Sequence, residues 1–467
     1  MANQINKNDE FELEIDDLGA EGEGIGHLDG YTLFVKDALP GDVIRVKVIK
    51  AKKNYGYGRL MEILKSSKNR VEPVCPVAKQ CGGCQIQHLS YEAQLSYKEN
   101  KIKNCLVRLG KFPQEQIDSI MEPIMGMDEP YHYRNKAQFP VGRSKDGEIV
   151  TGFYASRTHS IIPATGCAIQ DKRNEQILET IIGTMKEYNI EPYDESSHKG
   201  LIRHILTRVG YHTGEIMVCL VLNGTSLPHQ DVFIERLTAI EGMKSISINV
   251  NKEKTNVILG TKVKTLWGED YIVDSIGDIK YQISPLSFYQ VNPVQTQKLY
   301  QTALDYADLT GDEIVWDLYC GIGTISLFLA QKAKRVYGVE IVPEAIADAN
   351  RNKAFNHIEN VEFFVGASEE VLPQKYKESN GQMSADVIVV DPPRKGCDAA
   401  LLQTVMDMAP QKVVYVSCDP ATLARDLRIL CDGGYELTKV RGCDMFGHSG
   451  HVETVIMMQY CGKDKKK

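Results

Sequence analysis

Apolar and polar positions alternate along residues 11–65 in the runs FELEIDDLG, GEGIGHLDG, YTLFVKD, DVIRVKVIKAKK and YGRLMEIL. A period of two puts successive side chains on opposite faces of a strand, and glycines break the pattern at short intervals. This predicts a small OB-like β-barrel over residues 1–72. Residues 91–110 change to helical spacing: Leu95, Ile102, Cys105, Leu106 and Leu109 share one face, and Gly110 closes the run. From about 130 to 283 strand-like runs return, including KAQFPVG, IVTGFYA, HILTRVGYH, GEIMVCLVL, SISINV, NVILG and YQISPLSFYQV. They predict a mainly β central domain, assigned to 73–91 and 126–283. In the last third, the strands EIVWDLYC, RVYGVE, VEFFVG, DVIVVDPP and KVVYVSC alternate with helices such as PEAIADANRNKAF and ATLARDLRILC. That is the βαβ pattern of an open, doubly wound, Rossmann-like α/β sheet, assigned to 92–125 and 284–467. HVETVIMMQY follows YELTKV through a short Gly-containing turn, so these two are expected to pair antiparallel.

Composition narrows the class. The chain has 467 residues, 43% hydrophobic and 25% charged, enough for two or three domains. No run of 18 apolar residues occurs, and Met1 to Glu14 lacks the basic-then-apolar order of a signal peptide. A cytoplasmic protein with no membrane partner is expected. Its 12 cysteines would be reduced there, so clustered ones are read as ligands or nucleophiles. The net charge of −8 argues against a protein that coats nucleic acid over its whole surface. Locally the sign reverses: Val43 to Arg70 holds nine Lys or Arg and one acid, Glu62, with Tyr55 and Tyr57 interleaved. Such a track suits phosphates and stacked bases, or else is an edge strand guarded by lysines.

Candidate chemistry sits at strand ends, where open α/β sheets bind ligands. The strand ending in DLYCGIGT carries Gly321 and Gly323, and the next strand ends at Glu340, placed to accept ribose hydroxyls. Ile322, Thr324, Ile325 and Ser326 leave the G-x-G-x-x-G pattern incomplete, which favours an adenosine-type ligand over a dinucleotide. Two further strands end in DPPR, Asp391 to Arg394, and in SCDP, Ser417 to Pro420. Prolines stiffen these turns and direct Cys418 towards a cleft. Arg394 is a candidate to favour its thiolate, and His448, His451 and Glu453 in HSGHVETV are candidate bases.

SFYQVNP, DLYCGIGT, GVE, DPPRKG, VSCDPATLARD and GHVETV, in this order, resemble the RNA (uracil-5-)-methyltransferase family, and the N-terminal barrel resembles a TRAM domain, an RNA-binding module. The resemblance implies S-adenosylmethionine as methyl donor, Cys418 as the nucleophile attacking uracil carbon 6, and Glu453 as the base that removes the carbon 5 proton. It places Gln290, Tyr319, Glu340 and Asp391 at the cofactor, with Asp391 also able to accept the uracil N3 proton. Many members carry a [4Fe–4S] cluster, and Cys75, Cys81 and Cys84, spaced C-x5-C-x2-C, with Cys167 as a distant fourth, fit its ligands. Four thiolates also suit tetrahedral zinc, which spacing does not exclude. TRAM plus four cluster cysteines resembles the enzymes acting on 23S rRNA, so RNA, and 23S rRNA first, is the expected partner. DNA and an obligate protein partner are not expected. The alternatives are the same chemistry on a tRNA uridine, methylation of an exocyclic amine, or a non-catalytic ribosome-assembly protein. Arg394 after the two prolines speaks against amine methylation, where an aromatic is usual, and the presence of every cleft residue speaks against a non-catalytic role. Lys47 to Arg59 and Tyr133-Arg134-Asn135-Lys136 are the expected RNA contacts.

Overall fold

The computed structural model describes residues 5–156 and 158–462, which gather into two compact units. One comprises the chain up to residue 101 with 153–162 and 446–451; the other comprises 102–152, 163–445 and the chain from 452 onwards.

In the first unit, β1 (Glu10–Leu18), β2 (Gly24–Leu28), β3 (Tyr31–Val35), β4 (Val43–Ala51) and β5 (Tyr55–Lys65) close into a barrel in the order β1-β2-β3-β5-β4. The period of two is realised most plainly in β4, where Ile44, Val46 and Val48 are fully buried while Arg45 and Lys50 face out. Leu13, Ile15, Leu33 and Val35 complete the interior. Closure removes sheet edges. The reading of the basic run as a lysine-guarded edge therefore falls, because β4 pairs with both β1 and β5.

Helix α1 (Tyr91–Arg108) buries Ile102 and Leu106 of the expected face and half-buries Leu95 and Cys105, but the buried stripe also takes in polar residues. Gln94, Lys98, Ile102 and Leu106 are buried at i, i+4 spacing, whereas Leu109 is 56% exposed and lies past the helix end. The polar pair survives burial because carbonyls and amides receive it. Lys98 Nζ donates to Phe446 O at 2.9 Å, Gln94 Nε2 donates to Leu89 O at 2.8 Å, and His448 N donates to Gln94 Oε1 at 3.0 Å. Hydropathy spacing alone does not anticipate such partners.

The second unit contains α2 (Gln114–Ile120), β6 (Met121–Met125), β7 (Lys136–Arg143), the start of β8 (Ile149–Tyr154), the last residue of β9 (Ile161–Pro163), α3 (Arg173–Glu187), β10 (Ile202–Val209), β11 (Ile216–Leu222), α4 (Gln230–Thr238), β12 (Met243–Val250) and β13 (Lys262–Gly268). Its central sheet runs β13-β12-β11-β10-β7, with β10 and β11 buried along their whole length. NVILG, expected as a strand, forms none. Side-chain amides capture its backbone instead: Asn251 Nδ2 donates to Val257 O and Ile258 O, and Asn249 exchanges two hydrogen bonds with Gly260. The hairpin β14 (Ile272–Ile276) and β15 (Ile279–Ile283) follows, and β15 ends before the rest of the SPLSFYQV run, which the sequence reading had kept extended.

The remaining elements are α5 (Pro293–Ala307), β16 (Ile314–Leu318), α6 (Thr324–Leu329), β17 (Arg335–Glu340), α7 (Pro343–Phe355), β18 (Val361–Val365), α8 (Ser368–Glu378), β19 (Val387–Val390), α9 (Ala399–Met408), β20 (Lys412–Ser417), α10 (Pro420–Asp432), β21 (Tyr435–Cys443) and β22 (Glu453–Tyr460). They build an eight-stranded sheet in the order β18-β17-β16-β19-β20-β22-β21-β6. β16 to β20 are parallel, and β22 runs antiparallel between β20 and β21, as the last two runs of the sequence anticipate. From β16 the chain winds outward through β17 and β18, then returns to lay β19 on its other side. That reversal between β16 and β19 opens a crevice at the strand ends.

Candidate active site

β16 ends at the crevice with Asp317 and Leu318, and the chain turns sharply. Tyr319 adopts φ 71°, an uncommon region for a residue with a side chain, and the Tyr319 and Cys320 amides both donate to Val339 O at 3.0 Å. Gly323, at φ 81°, is required twice over. A Cβ there would also sit 2.7 Å from Phe363 Cζ. Glu340 at the end of β17 closes the other wall. Its carboxylate accepts from Gly321 N at 3.2 Å and Val342 N at 3.1 Å, so the turn and the acid hold each other. Ile341 and Val342, beside it, are 67% and 45% exposed. An acid flanked by open apolar side chains suits a ribose with an attached base.

Behind this wall Asp317 is fully buried. Ser326 Oγ donates to Asp317 Oδ2 at 2.5 Å, while Oδ1 has no hydrogen-bond partner. Burial pushes the Asp317 carboxyl up to about 7 despite the Ser326 bonds, and Glu340 adds to the rise. Tyr319 is half-buried with burial raising its hydroxyl above the usual range, next to Cys397, Glu369 and the Asp398 backbone. Gln290 is buried just before α5, where its backbone carbonyl accepts from Asn135 Nδ2 at 3.0 Å and Val291 O accepts from Asn135 N at 2.9 Å.

The reacting groups lie on the next strands. Ser417 pairs with Thr454 across β20 and β22, so Cys418, one residue beyond, comes level with Glu453. Cys418 is half-buried and Glu453 is 3% exposed. Burial pushes the Cys418 thiol up to about 11; Glu453 and Asp391 add to the rise, and Arg394 opposes it. Glu453 is raised to about 8 by burial first and Asp391 second, again opposed by Arg394. Asp391 reaches about 7 through burial and the proximity of Asp317. Tyr300 of α5 feels Asp391, Asp317 and Glu453, and its hydroxyl pairs with Thr324 Oγ1 at 3.0 Å. Cys418, Glu453, Asp391 and Arg394 therefore form one electrostatic group, continued by Asp317 to Glu340. Of the other candidate bases, His448 is buried and engaged by Gln94, and the His451 ring lies 6.2 Å from that of Phe446.

The arm that carries Arg394 is held by residues that the sequence reading missed. Asp426, fully buried in α10, accepts from Cys397 N at 2.8 Å and Tyr415 Oη at 2.7 Å. The signal was available: Asp426 stands in a helical stripe with Leu423, Leu427 and Leu430, where a lone charge is costly.

The four expected metal ligands are placed less decisively. Cys75, Cys81 and Cys84 are half-buried in the loop between β5 and α1. Burial raises the Cys81 thiol, Cys75 adds to the rise, and Gly83 N donates to Cys81 Sγ at 3.4 Å. Cys167 follows β9 and belongs to the other unit. Among the described residues, no three His, Cys, Asp or Glu side chains converge as a metal site. On the barrel, Phe34, Tyr55 and Tyr57 touch one another with ring centroids 5.8–5.9 Å apart. With Thr32 and Asn54 they line an open cleft of about 410 Å³.

The family described as tRNA (uracil-5-)-methyltransferase matches residues 90–460, and the TRAM domain matches residues 6–61. The chain belongs to the tRNA (uracil-5-)-methyltransferase family. An uncharacterized RNA methyltransferase of Halalkalibacterium halodurans is 53% identical over 456 residues, covering 97% of this chain and 98% of the relative. Another, of Clostridium tetani, is 50% identical over 464 residues, covering 99% of each. The crystal structure of Pyrococcus abyssi tRNA (uracil-54, C5)-methyltransferase in complex with S-adenosyl-L-homocysteine matches with a TM-score of 0.78 at 28% identity, covering 96% of this chain and 100% of that one. This chain is thus an S-adenosylmethionine-dependent RNA methyltransferase of the uracil-5 family, with a TRAM domain at its barrel. No helix among the described residues is long and apolar enough to cross a membrane.

The raised Asp317 carboxyl carries a stability signature. A group that binds its proton more tightly folded than unfolded stabilises fully below its unfolded value and loses that contribution as pH rises through its folded one. Between about pH 4 and about 7, native Asp317 should therefore cost stability progressively. Asp317→Asn removes the titration. Thermal melts from pH 5 to 8 should show the variant gaining on the parent by on the order of 2–4 kcal/mol, and a constant difference would refute the buried, protonated assignment.

Proposed function

We propose that this methyltransferase modifies carbon 5 of a uridine in 23S rRNA through a transient bond between Cys418 and uracil carbon 6. The observation that carries the reading is the level placement of Cys418 and Glu453 on neighbouring strands, with Asp391 and Arg394 coupled to both. Carbon 5 of uracil is too weak a nucleophile to accept a methyl group unaided. The Cys418 thiolate adds to carbon 6, and the ring electrons move towards the carbon 4 oxygen as an enolate, making carbon 5 electron-rich. S-adenosylmethionine supplies an electrophilic methyl group when bound. Glu453 then takes the carbon 5 proton, the carbon 5–carbon 6 double bond re-forms, and the Cys418 thiolate leaves. Arg394 favours both the thiolate and the carboxylate. Asp391, as carboxylate, accepts the N3 proton of uracil, where cytosine offers only an acceptor.

Gln290, Tyr319, Glu340 and Asp391 are assigned to the cofactor. The Glu340 cradle, its exposed apolar neighbours and the unpartnered Asp317 oxygen fit a cationic nucleoside. The choice of 23S rRNA rests on the joint presence of a TRAM domain and the four cysteines. A tRNA uridine is the second reading, favoured by the substrate named for the Pyrococcus abyssi enzyme. Transcripts containing 5-fluorouridine separate these possibilities, since carbon 5 then has no proton to lose. We expect a denaturant-stable adduct with the 23S transcript that requires S-adenosylmethionine and is abolished in Cys418→Ala. Glu453→Gln should trap an adduct even with ordinary uridine and lower turnover by at least about a hundredfold. An adduct on tRNA alone would transfer the assignment to tRNA; none on any substrate RNA that becomes methylated would end the covalent reading.

Cys75, Cys81, Cys84 and Cys167 are assigned to a structural [4Fe–4S] cluster. An all-thiol donor set, two thiols already in electrostatic contact and an amide donating to one sulfur fit such a group. Protein purified without air should contain about four irons and four sulfides per chain. Cys81→Ser should lose both, and stoichiometric zinc instead would reassign the site.

The barrel is assigned to the RNA. Lys50, Lys52 and Lys53 are exposed beside the Phe34–Tyr55–Tyr57 cleft, a pairing of cations and ring faces suited to single-stranded RNA. Replacing the three lysines with alanine should weaken RNA binding and reduce its log–log salt slope by about 2. Tyr55→Ala with Tyr57→Ala should weaken binding at constant slope. An unchanged slope in the lysine variant would remove the barrel as a phosphate contact.

A further inference from the structure

One face of α10 grips the arm that carries Arg394. Thr422, Arg425 and Asp426 stand at i, i+3 and i+4, and each bonds the backbone of the arm. Thr422 Oγ1 donates to Arg394 O at 3.1 Å, Arg425 donates to Lys395 O at 2.9 Å, and Asp426 Oδ2 accepts from Cys397 N at 2.8 Å. Between these contacts Gly396 adopts φ 78°, with Gly396 N donating to Pro393 O at 2.8 Å. A Cβ on Gly396 would lie 2.5 Å from Asp426 Oδ2 and 2.6 Å from an Arg425 guanidinium nitrogen, so the arm lies flush on the helix. Asp426 is itself fixed by Tyr415 Oη at 2.7 Å and by Arg425 Nε at 2.8 Å.

The same helix starts two residues after Cys418. Asp419 caps it, accepting from Ala421 N at 2.9 Å and Thr422 N at 3.1 Å, and Pro420 follows the cap. Cys418 and the Arg394 arm are thus anchored to the first two turns of one rigid element. We propose that Thr422, Arg425 and Asp426 are positioning residues that hold Arg394 beside Cys418 and Glu453. The inference rests on the reading of Cys418 as nucleophile only for its consequence; the clamp itself is a set of hydrogen bonds. Arg394 is exposed and its long side chain is otherwise free to swing, so fixing its backbone confines its charge at small entropic cost. The groups that face Cys418 are Glu453 of β22, Asp391 after β19 and Arg394, and those that face Glu453 are Asp391, Arg394 and Tyr300 of α5.

The test is the pH dependence of Cys418 alkylation by iodoacetamide in the full-length protein, read peptide by peptide with mass spectrometry. This reports the thiolate without requiring turnover. Arg394→Ala should move the midpoint upward and slow alkylation near neutral pH by roughly three- to tenfold. Asp426→Asn and the double variant Thr422→Val, Arg425→Ala should shift it the same way, by a large part of that amount. The double variant leaves the buried carboxylate in place, so it remains informative if Asp426→Asn folds poorly. A midpoint unchanged in a folded double variant, while Arg394→Ala shifts it, would overturn the clamp. An unmoved midpoint in Arg394→Ala would overturn the proposal at its other link, the action of Arg394 on Cys418. Failure of the fluorouridine adduct alone would strike the nucleophile assignment and leave the alkylation result standing.

Discussion

The end of the parallel sheet buries more acid than it neutralises. Asp317, Asp391, the Cys418 thiol and Glu453 follow one another across β16, β19, β20 and β22, and each is pushed towards its protonated form chiefly by burial. Arg394 is the cation that opposes this on Cys418 and Glu453. Removing a charge from water costs several kcal/mol, so a fold retains such a row only where it does something else. The order β18-β17-β16-β19-β20-β22 makes the row possible, because it brings four chain-distant strand ends side by side. The antiparallel insertion of β22 is decisive: it delivers Glu453 at the start of a strand, level with a residue at the end of one.

Much of this was legible in the sequence because strand ends are marked by sharp changes of composition. DLYC, VVDPPR and VSCDP each pass from an apolar run to polar residues and prolines, and each proved to be a strand end at the crevice. HVETV was equally readable, since a carboxylate inside an apolar strand is hard to explain otherwise. What the sequence concealed were contacts between distant polar groups. Gln94 and Lys98 looked like solvent positions on α1, yet they are buried against Leu89, Phe446 and His448. NVILG looked like a strand until two asparagine amides took its backbone. Asp426 stands inside ATLARDLRILC, whose helical spacing does not reveal that Cys397 N and Tyr415 Oη donate to it. In each case the local pattern was silent about which carbonyl or amide would be waiting.

The barrel obeys a different logic from the sheet. Its interior is aliphatic, and closure leaves no edge to protect. Cations on β4 and in the β4–β5 turn are therefore free of the edge-guarding role, which makes their concentration beside the three rings that line the open cleft a feature of the outer surface. Some of the charge is spent internally, as Lys47 pairs with Glu10 at 2.8 Å and Arg45 with Glu62 at 2.9 Å. Such exposed pairs contribute little to stability. A phosphate chain can compete for them at little cost.

The chemistry proposed for the cleft has a proton balance that the electrostatics must satisfy. Methylation of a carbon 5–hydrogen position releases one proton overall, yet Cys418 and Glu453 both favour holding theirs near neutral pH. Passing the Cys418 proton to Glu453 would run uphill, because the thiol holds its proton more tightly than the raised carboxyl does, and would leave Glu453 unable to act later. The cleft must therefore lose a proton before the thiolate attacks, and the cheapest way to lose it is to gain a positive charge nearby. Tyr319 and Glu340, assigned above to the cofactor, would hold a cationic methyl donor at the end of the same row of acids, where its charge would serve. On the proposed reading an excess of buried acid would tie cofactor occupancy to nucleophile activation: a cation at the end of the row would offset the acids that, with burial, hold the Cys418 thiol protonated, and so raise the thiolate fraction above the level that Arg394 alone sustains.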